Sequence, residues 1–168
     1  MPTLELPHTP GCLVCGPGNP YGLKLSSHVD PDTGLVTIPF KPEAHQIGFE
    51  GIVHGGLLAT VVDEAMVWAA TWNQRRFCVC GDLSVRFRSP VSVGMRLNVE
   101  ARVEYSRPKI VAVAATVRTP NGAIVAAGEG KYVPMPPEQS ERVMRTLIDE
   151  PNTHAAVALL TRGIVTES

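Results

Sequence analysis

His54-Gly55-Gly56-Leu57-Leu58-Ala59-Thr60-Val61-Val62-Asp63-Glu64 is the stretch that decides how this chain folds. Two glycines after a histidine read as a helix start, and an almost wholly apolar run follows. Leu57, Leu58, Val61, Val62, Ala65, Met66, Val67, Trp68 and Ala69 cover nearly every side of a helix predicted over about His54 to Trp72. A helix apolar all round is buried in a core. Asp63 and Glu64 are therefore out of place in its middle. A buried carboxylate without a partner costs several kcal/mol or gives up its charge. The pair marks the helix as a carrier of chemistry.

Working outward, the pattern switches to period two on both sides of the helix. Before it, Gly22 to Val29 and Leu35 to Phe40 alternate around the turn Asp30-Pro31-Asp32-Thr33-Gly34, as paired strands do. A loop with Pro42, Gly48 and Gly51 leads into the helix. After it, Leu83, Val85 and Phe87 face one way and Asp82, Ser84, Arg86 and Arg88 the other. Met95 to Tyr105 alternates strictly, the mark of a strand with one wet face. Ile110 to Val117 and Ala123 to Val133 complete four strands, the last two joined by the turn Thr119-Pro120-Asn121-Gly122. Two strands, one helix and four strands do not alternate as a doubly wound sheet does. An α+β arrangement fits, with one antiparallel sheet of five or six strands wrapped around a single long central helix.

The 168 residues suit one domain with extra chain at its ends. Residues 1–20, rich in Pro and Gly, read as an irregular lead-in with a Cys12-x-x-Cys15-Gly16 turn; 21–134 form the sheet and helix domain; 135–168 form a helical C-terminal extension, with short helices over Glu138 to Ile148 and His154 to Leu160. The net charge of −1 argues against polyanion binding, although eight basic residues stand against three acids between Arg75 and Lys109. No signal peptide and no transmembrane run of about 18 apolar residues is visible. The expectation is a cytoplasmic protein with reduced cysteines, contacting neither nucleic acid nor membrane. Cys12 and Cys15 resemble half of a zinc knuckle, but structural zinc wants four ligands, and no second pair follows at knuckle spacing. No metal and no cofactor are expected.

Taken together, Cys12-Leu13-Val14-Cys15-Gly16, Asn19-Pro20-Tyr21-Gly22-Leu23, Gly51-Ile52-Val53-His54-Gly55-Gly56 with Asp63, and Asp82-Leu83-Ser84-Val85-Arg86-Phe87-Arg88-Ser89-Pro90 carry a resemblance. From about Gly11 to Val133 the chain resembles the hotdog fold, and more narrowly the PaaI-like acyl-CoA thioesterases of the 4-hydroxybenzoyl-CoA thioesterase superfamily. The resemblance implies hydrolysis of an acyl-CoA thioester, with coenzyme A present only as part of the substrate. It also implies a homodimer or homotetramer in which the acid of one subunit faces the glycine turn of another. Fold alone leaves two rivals open. One is a module that binds acyl-CoA without turnover. The other is a hotdog hydratase or dehydratase, which would need His45 or His54 near the acid. Acyl-carrier-protein thioesters remain an alternative substrate.

Thioester hydrolysis needs a stabilised oxyanion, an attacking group and a held leaving group. Unpaired N–H groups at a helix N-terminus carry partial positive charge. Gly55, helped by Gly56, is the expected oxyanion hole. Asp63 lies nine residues past His54, roughly 13 Å along the helix. That is too far to serve its own helix start, so the resemblance implies that it acts in trans, as nucleophile or as general base on water. Glu64 is the competing carboxylate, about 100° around the helix. His54 is expected to contact the thioester oxygen or to cap the helix. Cys80 stands where relatives often carry Ser or Thr to position the water, and a thiol is the weaker donor. Some relatives carry Asn where this chain has Gly48; His45 or Gln46 on the same loop are the candidate replacements. For the nucleotide end of CoA the expected contacts are Arg88, Ser89 and Pro90, with Arg107 and Lys109 at the next hairpin.

Overall fold

A computed structural model describes residues 1–162. The chain order is β1 (Leu4–Glu5), β2 (His28–Val29), β3 (Val36–Phe40), β4 (Ile47–Phe49), β5 (Ile52–Val53), α1 (Gly55–Gln74), β6 (Cys78–Phe87), β7 (Leu97–Arg107), β8 (Ile110–Arg118), β9 (Ile124–Pro134), α2 (Pro137–Met144) and α3 (His154–Leu160). Seven strands form one antiparallel sheet in the order β1-β2-β3-β7-β8-β9-β6, and β4 and β5 pair separately. α1 packs against β3, β6, β7, β8 and β9, so the sheet wraps the helix from both flanks. This is the hotdog architecture.

Burial of α1 follows from its composition. Leu58, Val61, Val62, Ala65, Met66, Trp68, Ala69, Ala70, Thr71 and Trp72 are all buried. Each large apolar side chain removed from water contributes about 1.5–3 kcal/mol. The sheet supplies the matching wall through Ile38, Phe40, Leu97, Val99, Val111, Val113 and Val117. The helix sits closest at β9, where a Cβ added to Gly128 would stand 2.6 Å from Val62 Cγ1. A glycine there sets how deeply the helix can lie.

The N-terminal segment is more ordered than its Pro and Gly content suggests. Leu4–Glu5 adds a strand beside β2, and this lengthens the sheet to seven strands. The expected strand over Gly22 to Val29 is reduced to His28–Val29. Leu23 and Leu25 instead donate their N–H groups to Leu13 and Val14 carbonyls at 2.8 and 2.9 Å, and Lys24 between them takes φ 52°. Alternation here reflects packing against the Cys12–Cys15 turn rather than membership of the sheet. At the other end, α2 and α3 pack onto the same core through Met144, Ala156 and Leu160, and Ser140 Oγ accepts the Phe77 N–H at 2.8 Å. His8 bridges Ile148. The two chain ends thus close over one face together. Of the expected extension, 163–168 lie outside the described residues.

Gly128→Ala tests the close approach. The added methyl must displace Val62 or the helix, and overpacking of this kind costs about 1–3 kcal/mol. Urea unfolding should show a lower midpoint with an unchanged slope.

Candidate functional site

The helix start is built by His54. Its backbone is extended, and its ring caps α1: Nδ1 accepts the Gly56 N–H at 2.9 Å. The Leu57 and Leu58 N–H groups reach the His54 carbonyl. Gly56 is therefore already engaged as a donor. Gly55 N–H takes part in none of the hydrogen bonds around the helix start among the described residues. An acceptor Nδ1 places the proton of a neutral His54 on Nε2, so the exposed side of the ring is a donor.

Two open clefts flank this helix start. One, of about 430 Å³, is lined by Phe49, Ile52, Val53, Gly55, Leu58, Phe87, Arg88, Ser89, Pro90 and Val91. Gly55 thus shares a surface with the expected Arg88-Ser89-Pro90 contacts. The other, of about 340 Å³, is lined by Leu13, Tyr21, Leu23, His45, Gln46, Ile47, His54, Leu57 and Thr60. It brings His45 and Gln46 together with His54, and the N-terminal segment forms its outer wall. Gly48 lies against the His54 ring, where a Cβ would meet Cδ2 at 3.1 Å. A larger residue there requires the His54 ring to give by a few tenths of an ångström.

Asp63 points elsewhere. Its Oδ1 accepts a hydrogen bond from Tyr132 Oη at 2.7 Å. Tyr132 is fully buried on β9 and pairs in register with Cys80 on β6. Burial, and then Asp63 itself, push the Tyr132 phenol up, so it remains a neutral donor. The Cys80 thiol is also raised, by desolvation first and by the charge of Asp63 second. A raised thiol is a poor nucleophile. Sequence reasoning did not single out Tyr132. The available signal was its place on the inward phase of the last strand, where a buried phenol needs an acceptor.

Glu64 faces a different environment. Trp68 Nε1 donates to its Oε1 at 3.0 Å, and Cys12 Sγ lies 3.8 Å from Oε2 and 3.9 Å from Oε1. Burial pushes this carboxyl up to about 7, with the Cys12 sulfur as the next cause. The Cys15 thiol, with N–H groups of Cys15 and Val14, holds Cys12 well below the ordinary thiol value, and Cys15 is raised in turn. Cys12, Cys15 and Glu64 form the one group of clustered metal-ligating side chains among the described residues.

The sheet register separates the remaining residues. The Arg88 N–H reaches the Val125 carbonyl, at the end of β6 where Phe87 lies against Gly55. Arg107 pairs with Ile110 at the opposite end of the sheet, one residue from where Val111 meets Tyr132. Gly55, Phe87 and Arg88 thus stand at one end of β6. Cys80 and Tyr132 stand at the other, with Arg107 and Lys109 in the nearby hairpin, and the Tyr132 ring reaches back over Gly130 to Asp63. Gly55 and Asp63 themselves lie eight residues apart on α1, roughly 12 Å of helical rise. One chain alone does not unite Asp63 with Gly55.

Residues 50–126 match the family described as the thioesterase superfamily. No curated protein matches the sequence. Among solved structures, the chain is similar to a thioesterase superfamily protein, with 24% identity and a TM-score of 0.68. That alignment covers 73% of this chain and 60% of the other, so this chain spans 60% of that relative's length. It is similar to the PaaI protein of E. coli, from the phenylacetic acid degradation operon, with 20% identity and a TM-score of 0.59 over 62% of this chain and 75% of that one. It is also similar to a Streptococcus mutans protein bound to acetyl CoA, with 17% identity and a TM-score of 0.58 over 61% and 82%. At these identities the structural likeness is one of fold. The chain has the hotdog fold, and its segment 50–126 matches the thioesterase superfamily.

Proposed function

We propose that this protein hydrolyses an acyl-CoA thioester in a site completed by two copies of the chain. The observation that carries the reading is the placement of Asp63. It is held by Tyr132, which stands at one end of β6, while the unengaged Gly55 N–H stands at the other end. β6 is a ten-residue edge strand that pairs only with β9 among the described residues. It exposes Val79 and Phe87. Long apolar edges are normally paired or covered. Antiparallel pairing of two β6 edges across a two-fold axis lays the Tyr132 end of one chain, which holds Asp63, against the Gly55 end of the other. The thioesterase family match and the acetyl CoA held by a fold neighbour support a CoA thioester as substrate.

In this reading the acyl carbonyl sits at the helix start, with its oxygen towards the Gly55 N–H and the His54 Nε2–H. Tyr132 holds Asp63 through Oδ1, leaving Oδ2 to take a proton from water. The water oxygen adds to the carbonyl carbon, and the negative oxygen is held by the Gly55 N–H at the positive end of the helix. Collapse breaks the C–S bond. The CoA thiolate leaves and takes up the proton, and the free acid remains. Arg88, Ser89 and Pro90 bound the Gly55 cleft. With Arg107 and Lys109 from the partner's hairpin end, they supply the surface for the CoA phosphates. The His45 and Gln46 cleft on the other side of the helix start is the room for the acyl group. No helix of the described residues is long and apolar enough to cross a membrane.

The direct test is free-thiol release from short, medium, long and aromatic acyl-CoAs. Asp63→Asn should lower kcat at least 10²-fold, the scale of losing a positioned acid–base group. A double-bond change without thiol release would instead show a hydratase, and saturable binding without turnover a binding module. The shared site has its own test. Asp63→Asn and Gly55→Val chains, each inactive, should recover about a quarter of wild-type activity when refolded together, because each mixed dimer keeps one intact site. No recovery from mixed dimers would place both groups in one chain. Tyr132→Phe should cost about 1.5–3 kcal/mol of stability, the range for a hydrogen bond to a charged group. It should also lower kcat more than it raises KM.

A further inference from the structure

The structure assigns a second site to this chain: Cys12, Cys15 and Glu64 form a three-ligand site for a zinc-class divalent cation, and the bound ion fastens the N-terminal segment to the middle of α1. The hydrolysis described above uses none of these side chains, and the inference does not depend on it.

The geometry is that of a ligand set. One donor atom from each of the three residues lies within 4.8 Å of the others. Cys12 Sγ stands 3.8 Å from Glu64 Oε2. Zinc bonds of about 2.3 Å to sulfur and about 2.0 Å to oxygen, at a tetrahedral angle, put those two atoms roughly 3.5 Å apart. A contraction of a few tenths of an ångström brings this pair to bonding geometry. Two thiolates and a carboxylate suit zinc, whereas calcium and magnesium favour all-oxygen sets.

The surroundings are shaped for the same purpose. The Val14 and Cys15 N–H groups point at Cys12 Sγ, at 3.3 and 3.5 Å. The turn closes with Gly16 N–H on the Cys12 carbonyl at 3.0 Å. A Cβ at position 16 would stand 2.5 Å from the Cys12 backbone, so only glycine lets Cys15 return beside Cys12. Trp68 holds Glu64 Oε1 at 3.0 Å while both carboxylate oxygens lie within 3.9 Å of Cys12 Sγ, the kind of outer support that orients a metal ligand. Glu64 has no ion pair among the described residues. Once the thiols give up their protons on binding, three anionic ligands meet, and a divalent ion offsets that charge. No fourth His, Cys, Asp or Glu joins the group among the described residues, so water takes the fourth position.

The site also reaches the acyl cleft. Leu13, next to Cys12, lines that cleft together with Leu57 and Thr60, which precede Glu64 on α1. The ion would hold the cleft's outer wall in place. Binding releases the thiol protons to solvent and changes no oxidation state.

The test is titration of the full-length reduced protein with Co²⁺ and Zn²⁺ alone. One Co²⁺ per chain should give a thiolate charge-transfer band in the near ultraviolet and the visible bands of a tetrahedral ion. Zn²⁺ should displace it and raise Tm. Cys12→Ser and Cys15→Ser should each abolish the charge-transfer band or cut it by at least half. Glu64→Gln should weaken binding at least tenfold, and Cys80→Ser should leave it unchanged. A folded wild type that shows no thiolate–Co²⁺ band overturns the site without reference to any variant. So does a band that survives in the Cys12→Ser/Cys15→Ser chain or is lost in Cys80→Ser.

Discussion

The molecule is arranged around a helix half of whose twenty residues are withdrawn from water. Ten residues of α1 are buried, and a lone antiparallel sheet can enclose such a helix only by wrapping it. β3, β7, β8, β9 and β6 do so, and the β4–β5 hairpin and both chain ends close what the sheet leaves open. The enclosure is tightest at Gly128, where backbone takes the place of a side chain.

A helix enclosed in this way must supply a partner for every polar group it carries. Asp63 and Glu64 are adjacent in the chain, but the helical turn of about 100° per residue sends them to different neighbours. Asp63 meets a phenol from the last strand, and Glu64 meets an indole one turn on and the sulfur of the N-terminal turn. These contacts join the first and last parts of the sequence to the centre of the helix. They also give the two carboxylates different electrostatic surroundings, Glu64 being pushed up to about 7 by burial. Two adjacent acids can therefore carry separate tasks.

The sheet order has a further consequence. Placing β6 at the edge leaves ten residues of backbone available for pairing on the side where the helix start is exposed. Phe87, the last residue of β6, lines one of the two clefts at that helix start. His54 stands between the clefts and caps the helix through Nδ1, leaving the Gly55 N–H as the unengaged donor. Capping and the presentation of a donor are thus two results of one ring orientation.

Much of this was legible in the sequence, for a physical reason. Period-two and all-round apolar patterns report which faces meet water, and that fixed α1 and β6 to β9 close to their observed bounds. Local chemistry likewise marked His54 at the helix start and the Asp30 and Thr119 turns. The sequence also showed that Asp63 lies too far along the helix to serve Gly55 of its own chain, because helical rise is a constant. Tertiary structure alone decided the rest. Nothing in the spacing pairs Asp63 with Tyr132, 69 residues away, or Glu64 with Cys12, 52 residues away. Nor did alternation at Gly22 to Val29 reveal that Leu23 and Leu25 bond to the cysteine turn instead of the sheet. Local periodicity records burial, which each residue carries with it, whereas partnership depends on the strand order that brings distant segments together.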